Sequence, residues 1–174
     1  MMSPSAAGAL LVLAGCAALG NQAALWYGRR PRDLAHCQAC LQVLLTEIDY
    51  GLTPLDEALQ RAAAAAPGPA AAVFRMAGED LARTPGRPPR QAWSQAWRRA
   101  APELALSAAD LEILLALGPS LGASDRHHQQ RHILLCSRRL AAAETDARAA
   151  AQRYLRLYRY LGVIAGGLLA VLLA

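Results

Sequence analysis

The stretch "DRHHQQRHILLCSRRLAAAETDARAAAQRYLRLYRYL", residues 125–161, contains neither proline nor glycine. Within it Ile133, Cys136, Leu140, Ala143, Ala147, Ala150, Tyr154, Leu157 and Leu161 follow one another at spacings of three and four. That is the period of a helix burying one stripe against a partner, as in a coiled coil, so one very long helix is expected from Asp125 onward. Leu34, Cys37, Leu41, Leu44 and Ile48 repeat the rule near the other end of the chain. One of these helices follows an apolar amino-terminal segment and the other leads into an apolar carboxyl-terminal one, which predicts an antiparallel pair. The three alanines in the middle of the long seam allow close packing.

Working outward, residues 1–28 carry no charged side chain, and the first charges are Arg29, Arg30 and Arg32. Ser5 to Tyr27 would reach roughly 34 Å as a helix, enough for a hydrocarbon core of about 30 Å, with Trp26 and Tyr27 at the interface. Arginines retained on the cytoplasmic side put the amino terminus outside and the following domain inside. "LAGC" ending at Cys16 has the form of a lipoprotein cleavage site, but the basic n-region of a secretory signal is missing, so a retained span is expected. At the other end "LGVIAGGLLAVLLA", residues 161–174, is about 21 Å long as a helix and spans only if Arg156 and Arg159 snorkel. Gly162 and Gly166 form a G-x-x-x-G pair that would admit a second membrane helix. The expected organisation is an anchor over 1–28, a cytoplasmic helical domain over 29–159 and a second membrane segment over 160–174.

Between the anchors the breakers mark the elements. Pro31 is expected to open a helix that stops at Gly51; Thr53 is expected to cap a second, with Pro54 at its first position, and "PGP" at 67–69 to end it. A further helix leads to "RTPGRPPR", residues 83–90, read as a loop. Trp93 and Trp97 share a face, and Ser107 with Asp110 forms a capping box. Gly118, Pro119 and Gly122 end that helix, and Ser124 is expected to cap the long one. With strand-forming runs missing, the fold class is all-α: a helical bundle with a long antiparallel hairpin between two transmembrane helices.

The chemistry is sparse. His36, Cys37 and Cys40 with His127, His128 and His132 could be assembled on paper into a zinc site, but a lone C-x-x-C is a weak signal. The antiparallel arrangement puts the two clusters on the order of 30 Å apart, against zinc bonds of about 2 Å. No phosphate loop or nucleophile elbow occurs, and Glu47, Asp49, Asp56, Glu57 and Glu112 sit where helix surfaces and caps need them. No catalytic residue, cofactor or metal is assigned. Cysteines in a cytoplasmic domain are expected to be reduced. A net charge of +5 could suit nucleic acid, yet the arginines at 29, 30, 32, 153, 156 and 159 flank the membrane segments, where anionic lipid is nearer. A membrane-tethered basic domain binding nucleic acid or acidic partners is the alternative. It is disfavoured because basic and aromatic residues are not interleaved.

Several stretches carry a resemblance: "RPR" behind the first span, "LLTEIDYGLTPLDEAL" at 44–59, "DLEILLALGPSLGASDRHHQQRHI" at 110–133 and "YRYLGVIAGGLLAVLL" at 158–173. In order and content the chain resembles the stage III sporulation protein AB family, itself similar to the F-domain platform proteins of type II secretion and pilus systems, which are helical bundles. It departs from the family pattern over 62–90, and at His127 and His128, where acidic residues are expected. The resemblance implies a non-enzymatic inner-membrane component of the channel joining mother cell to forespore. Its implied partners are a secretion-type cytoplasmic ATPase and other membrane subunits of the complex, with self-association left open and no nucleic acid. If the long helix enters the membrane near Tyr160, its start lies about 50 Å below the bilayer. The connector "GPSLGASDR", residues 118–126, would then be the tip that an ATPase meets first, with Asp125, Arg126, Gln129 and Arg131 as the docking groups.

Overall fold

A computed structural model describes residues 28–49, 53–66, 68–122 and 125–173, the last of these beyond residue 154 as helical backbone. Among the described residues six α-helices follow one another: α1 over 28–49, α2 Leu55–Ala65, α3 Pro69–Arg83, α4 Pro89–Ala100, α5 Ala108–Leu115 and α6 Arg126–Leu173. Short 3-10 turns at Ala101–Glu103 and Gly118–Ser120 follow α4 and α5, and the described residues contain no strand. Arg30–Thr145 forms one compact unit, and Met1–Arg29 with Asp146–Ala174 a second.

In the larger unit α1 and the first part of α6 run antiparallel. The Gln38 amide donates to Glu144 Oε2 at 2.7 Å, and the Gln130 amide donates to Asp49 Oδ1 at 2.7 Å. As the position on α1 rises its partner on α6 falls, which is the expected hairpin. Leu34, Cys37, Leu41 and Leu44 are buried, together with Cys40, and Ile48 is half-buried. On α6 the buried positions are Gln129, Ile133, Cys136 and Leu140, with Ala143 half-buried. The long helix of 48 residues also matches the expectation from its missing breakers.

In the smaller unit the stripe departs from its heptad. Ala147 and Ala151 are buried, Ala150 is half-buried and Tyr154 is 38 % exposed, so Tyr154 is not a seam residue as expected. Leu157 and Leu161 carry the rest of the expected seam on side chains outside the described residues.

α2, α3 and α4 fill the bundle with small and aromatic side chains. Ala58, Ala62 and Ala63 of α2 are buried, as are Ala70, Ala71, Ala77 and Gly78 of α3. A Cβ at Gly78 would lie 2.7 Å from the Asp56 carbonyl oxygen, so this glycine permits the backbones of α2 and α3 to touch. Phe74 meets Trp93 and Trp97 edge to face at centroid distances of 5.1 and 6.2 Å, and the two tryptophans meet at 5.5 Å. These are the preferred aromatic geometries, and both tryptophans are core. The Trp93 indole N–H donates to the Leu114 carbonyl at 2.7 Å, fixing α4 to α5.

The punctuation is met in part. α1 is already helical at Gly28, so Pro31 lies within it rather than opening it. Thr53 does not cap α2: its hydroxyl donates to Glu47 at 3.2 Å, and Pro54 occupies the cap position. Pro69 and Pro89 each hold the first position of a helix, where a missing N–H costs nothing. The loop expected over 83–90 therefore shrinks, since Arg83 ends α3 and Pro89 starts α4. The capping box of Ser107 and Asp110 is present in both directions. α5 ends at Leu115, before the glycine expected to stop it.

Among the described residues no helix is long and apolar enough to cross a membrane. The two expected spans fall outside them, on residues 5–27 and on the side chains of 161–174, as do Cys16 and Gly51, while Gly162 and Gly166 lie where α6 is described as backbone alone.

Candidate docking site at the start of the long helix

The turn between α5 and α6 is built against α4. A Cβ at Gly118 would lie 3.2 Å from the Trp93 ring. Gly122 has φ +74°, a left-handed conformation, and a Cβ there would lie 2.7 Å from Pro89 Cγ. Side chain and conformation together exclude other residues at this point. Ser120 is buried and its hydroxyl donates to the Leu117 carbonyl at 2.7 Å. The start of α6 is thus set by packing as well as by its own sequence.

Ser124, the expected cap, lies outside the described residues. Asp125 Oδ1 accepts from the His127 N–H at 3.0 Å and the Asp125 carbonyl accepts from the Gln129 N–H at 3.1 Å, so Asp125 satisfies first-turn donors. Asp125, Arg126 and Arg131 are exposed. Gln129 is not: it is 6 % exposed, because it stands one turn before Ile133 on the buried stripe. Of the four expected docking residues, the fold therefore leaves three at the surface. His128 and His132, one turn apart, face each other with ring centroids 4.4 Å apart.

The register of the hairpin also corrects the separation of the histidine and cysteine clusters. Gln130 opposite Asp49 and Glu144 opposite Gln38 bring His127–His132 to about 10–25 Å from Cys37 and Cys40 along the axis, rather than 30 Å. Metal bonds of about 2 Å do not bridge even the shorter distance. No group of three His, Cys, Asp or Glu side chains gathers among the described residues in a way that could hold a metal. Cys37, Cys40 and Cys136 are free thiols. Burial pushes Cys40 up to about 11 and Cys136 up to about 12; burial, with Cys40 and Asp33 nearby, raises Cys37 well above the ordinary range. As thiols rather than thiolates they are poor ligands and nucleophiles.

A polar node elsewhere was not visible in the sequence. Arg30 Nε and Nη2 donate to the two Asp110 oxygens at 2.8 and 3.0 Å, and Nη2 reaches Ser107 Oγ at 3.3 Å. Asp110 Oδ2 also accepts from the Ser107 N–H at 2.8 Å. Burial works to raise the Asp110 carboxyl, but hydrogen bonds from Arg30 and Ser107 outweigh it and hold the group below its ordinary value. Three residues on, Asp33 Oδ2 accepts from the buried Ala105 N–H at 2.9 Å. Arg30, expected among the lipid-facing arginines, instead joins α1 to the segment leading into α5.

The described residues form an all-helical bundle closed by an antiparallel hairpin. A family model described as stage III sporulation protein AB matches residues 5–174. Stage III sporulation protein AB of Bacillus subtilis (strain 168) is 34 % identical over 172 residues, covering 95 % of this chain and 96 % of that protein. A solved structure of a stage III sporulation protein AB superposes with a TM-score of 0.66 at 35 % identity, covering 71 % of this chain and 97 % of that one. The chain belongs to the stage III sporulation protein AB family.

Proposed function

We propose that this protein is a non-enzymatic platform in the inner membrane of the mother cell. In endospore formation it couples a secretion-type cytoplasmic ATPase to the channel complex that reaches the forespore. Family membership supplies the sporulation context. The observation that carries the platform reading is the hairpin register: Gln38 opposite Glu144 puts both exits of the Arg30–Thr145 unit at one end, while Asp49 and Gln130 mark the other. A bundle whose two apolar flanking sequences are attached at the same end is suited to hang from a bilayer and present its far turn to the cytosol. There Asp125, Arg126 and Arg131 are the groups offered to an ATPase.

Reporter fusions at both termini and in the 84–88 loop test the topology, with both ends expected outside and the loop inside. The docking part is tested by capture of the purified ATPase with the full-length protein. Arg126→Glu together with Arg131→Glu leaves folding intact, since both side chains are exposed, and is expected to abolish capture. Undiminished capture would remove this turn as the docking site.

A further inference from the structure

The outward face of α6 continues from this turn in an unusual composition. Arg131, Arg138 and Arg139 are all exposed on it, and none forms an ion pair with a described residue. From Arg126 to Ala143 the helix contains no acidic residue. Between the arginines lie Leu134, 41 % exposed, and Leu135, 46 % exposed, two of the three exposed large hydrophobic residues among those described. Ala141, Ala142 and Thr145 extend the same face with small side chains. Arg131 and Arg138 stand seven residues apart, about 10 Å along the axis, one turn to either side of the leucines.

We infer that this face docks an acidic segment of the ATPase, one that carries apolar side chains between two carboxylates set about 10 Å apart. The inference rests on the platform reading above and extends its contact from the turn along the first third of α6. Charge complementarity selects the acidic partner: Arg131, Arg138 and Arg139 share this face without an ion pair to a described residue, and a carboxylate meets a guanidinium in a two-pronged hydrogen bond. The leucines select protein over nucleic acid. A phosphate backbone offers them nothing to bury against, and no tryptophan, tyrosine or phenylalanine lies between Arg126 and Ala143 to stack a base. Their exposure instead matches the apolar centre of a protein interface with a charged rim.

The test keeps every arginine and changes the leucines. Leu134→Ser with Leu135→Ser, in the full-length protein held in nanodiscs of zwitterionic lipid, is expected to retain native melting. Capture of the purified ATPase is expected to fall at least tenfold. Capture unchanged by the serine pair, but lost with Arg126→Glu and Arg131→Glu, overturns this inference and leaves the docking turn standing. Wild-type protein that captures no ATPase overturns both. Anionic vesicles or duplex DNA that bind the wild type, and lose binding with the serine pair, would assign the face to lipid or nucleic acid and overturn the acidic segment.

Discussion

Asp110 answers two elements with one carboxylate: it pairs with Arg30 across 80 residues of sequence and closes the capping box of α5. Asp110→Asn keeps the size of the side chain while removing the charge that both arrangements use. We expect a loss of about 2–4 kcal/mol, read from urea unfolding, since a buried charge-assisted pair and a cap are weakened together. The two tryptophans separate in the same way. Trp93 donates to the Leu114 carbonyl, whereas the buried Trp97 indole N–H has no acceptor among the described residues. Trp93→Phe is therefore expected to cost about 1 kcal/mol more than Trp97→Phe, because only the former loses a buried hydrogen bond, the Leu114 carbonyl keeping just its 3.3 Å bond from the Leu117 N–H and its contact with the Ala116 N–H. Equal losses in thermal unfolding would show that the Trp93 bond contributes nothing beyond packing.

Among the elements, α2 and α3 depend on Gly78. Replacing a mid-helix glycine by alanine ordinarily stabilises a helix by about 1 kcal/mol. Here the added methyl would meet the Asp56 carbonyl oxygen at 2.7 Å, and a backbone atom cannot swing aside as a side chain can. Gly78→Ala is expected to lower the melting temperature, and a rise would mean that the two helices separate at little cost. This contact was hidden in the sequence, where 62–90 reads only as rich in alanine and proline. The hairpin was legible because its signal repeats: each apolar residue of α1 and α6 confirms the one before it. Arg30 with Asp110 has no such repetition, and a single long-range pair leaves no period to read. Gln129 stands four residues before Ile133, and that spacing alone puts it on the buried stripe. The exposed residues of the candidate docking site followed from the same spacing, while Leu134 and Leu135 became conspicuous only when the neighbouring arginines proved to be unpaired.

For the molecule as a whole, the buried ionisable groups set the pH range of stability. Asp110 is held below its ordinary value of 3.8, so its contribution is complete above that value and is lost as pH falls through the folded one. The thiols act on the other side: from an ordinary 9.0, Cys40 rises to about 11 and Cys136 to about 12. Their contribution is present below 9.0 and disappears as pH rises toward these values, because the unfolded chain releases the protons first. Urea midpoints should therefore hold level between about pH 5 and 8 and decline on both sides. Cys40→Ala with Cys136→Ala should flatten the alkaline decline, and Asp110→Asn the acidic one; an alkaline decline unchanged by the cysteine pair would place its cause elsewhere.

The Arg30 clamp also determines how the bundle transmits force. Tension applied to the start of α1 meets two near-parallel bonds from one guanidinium within the first helical turns, and both must yield together rather than one after the other. Behind them, Asp33 grips the backbone of Ala105, so the same pull draws on the short segment between α4 and α5 at two points. Load entering through α1 is thereby shared with α5 before the apolar seam begins to slide, giving a stiff joint where a seam of side chains alone would creep.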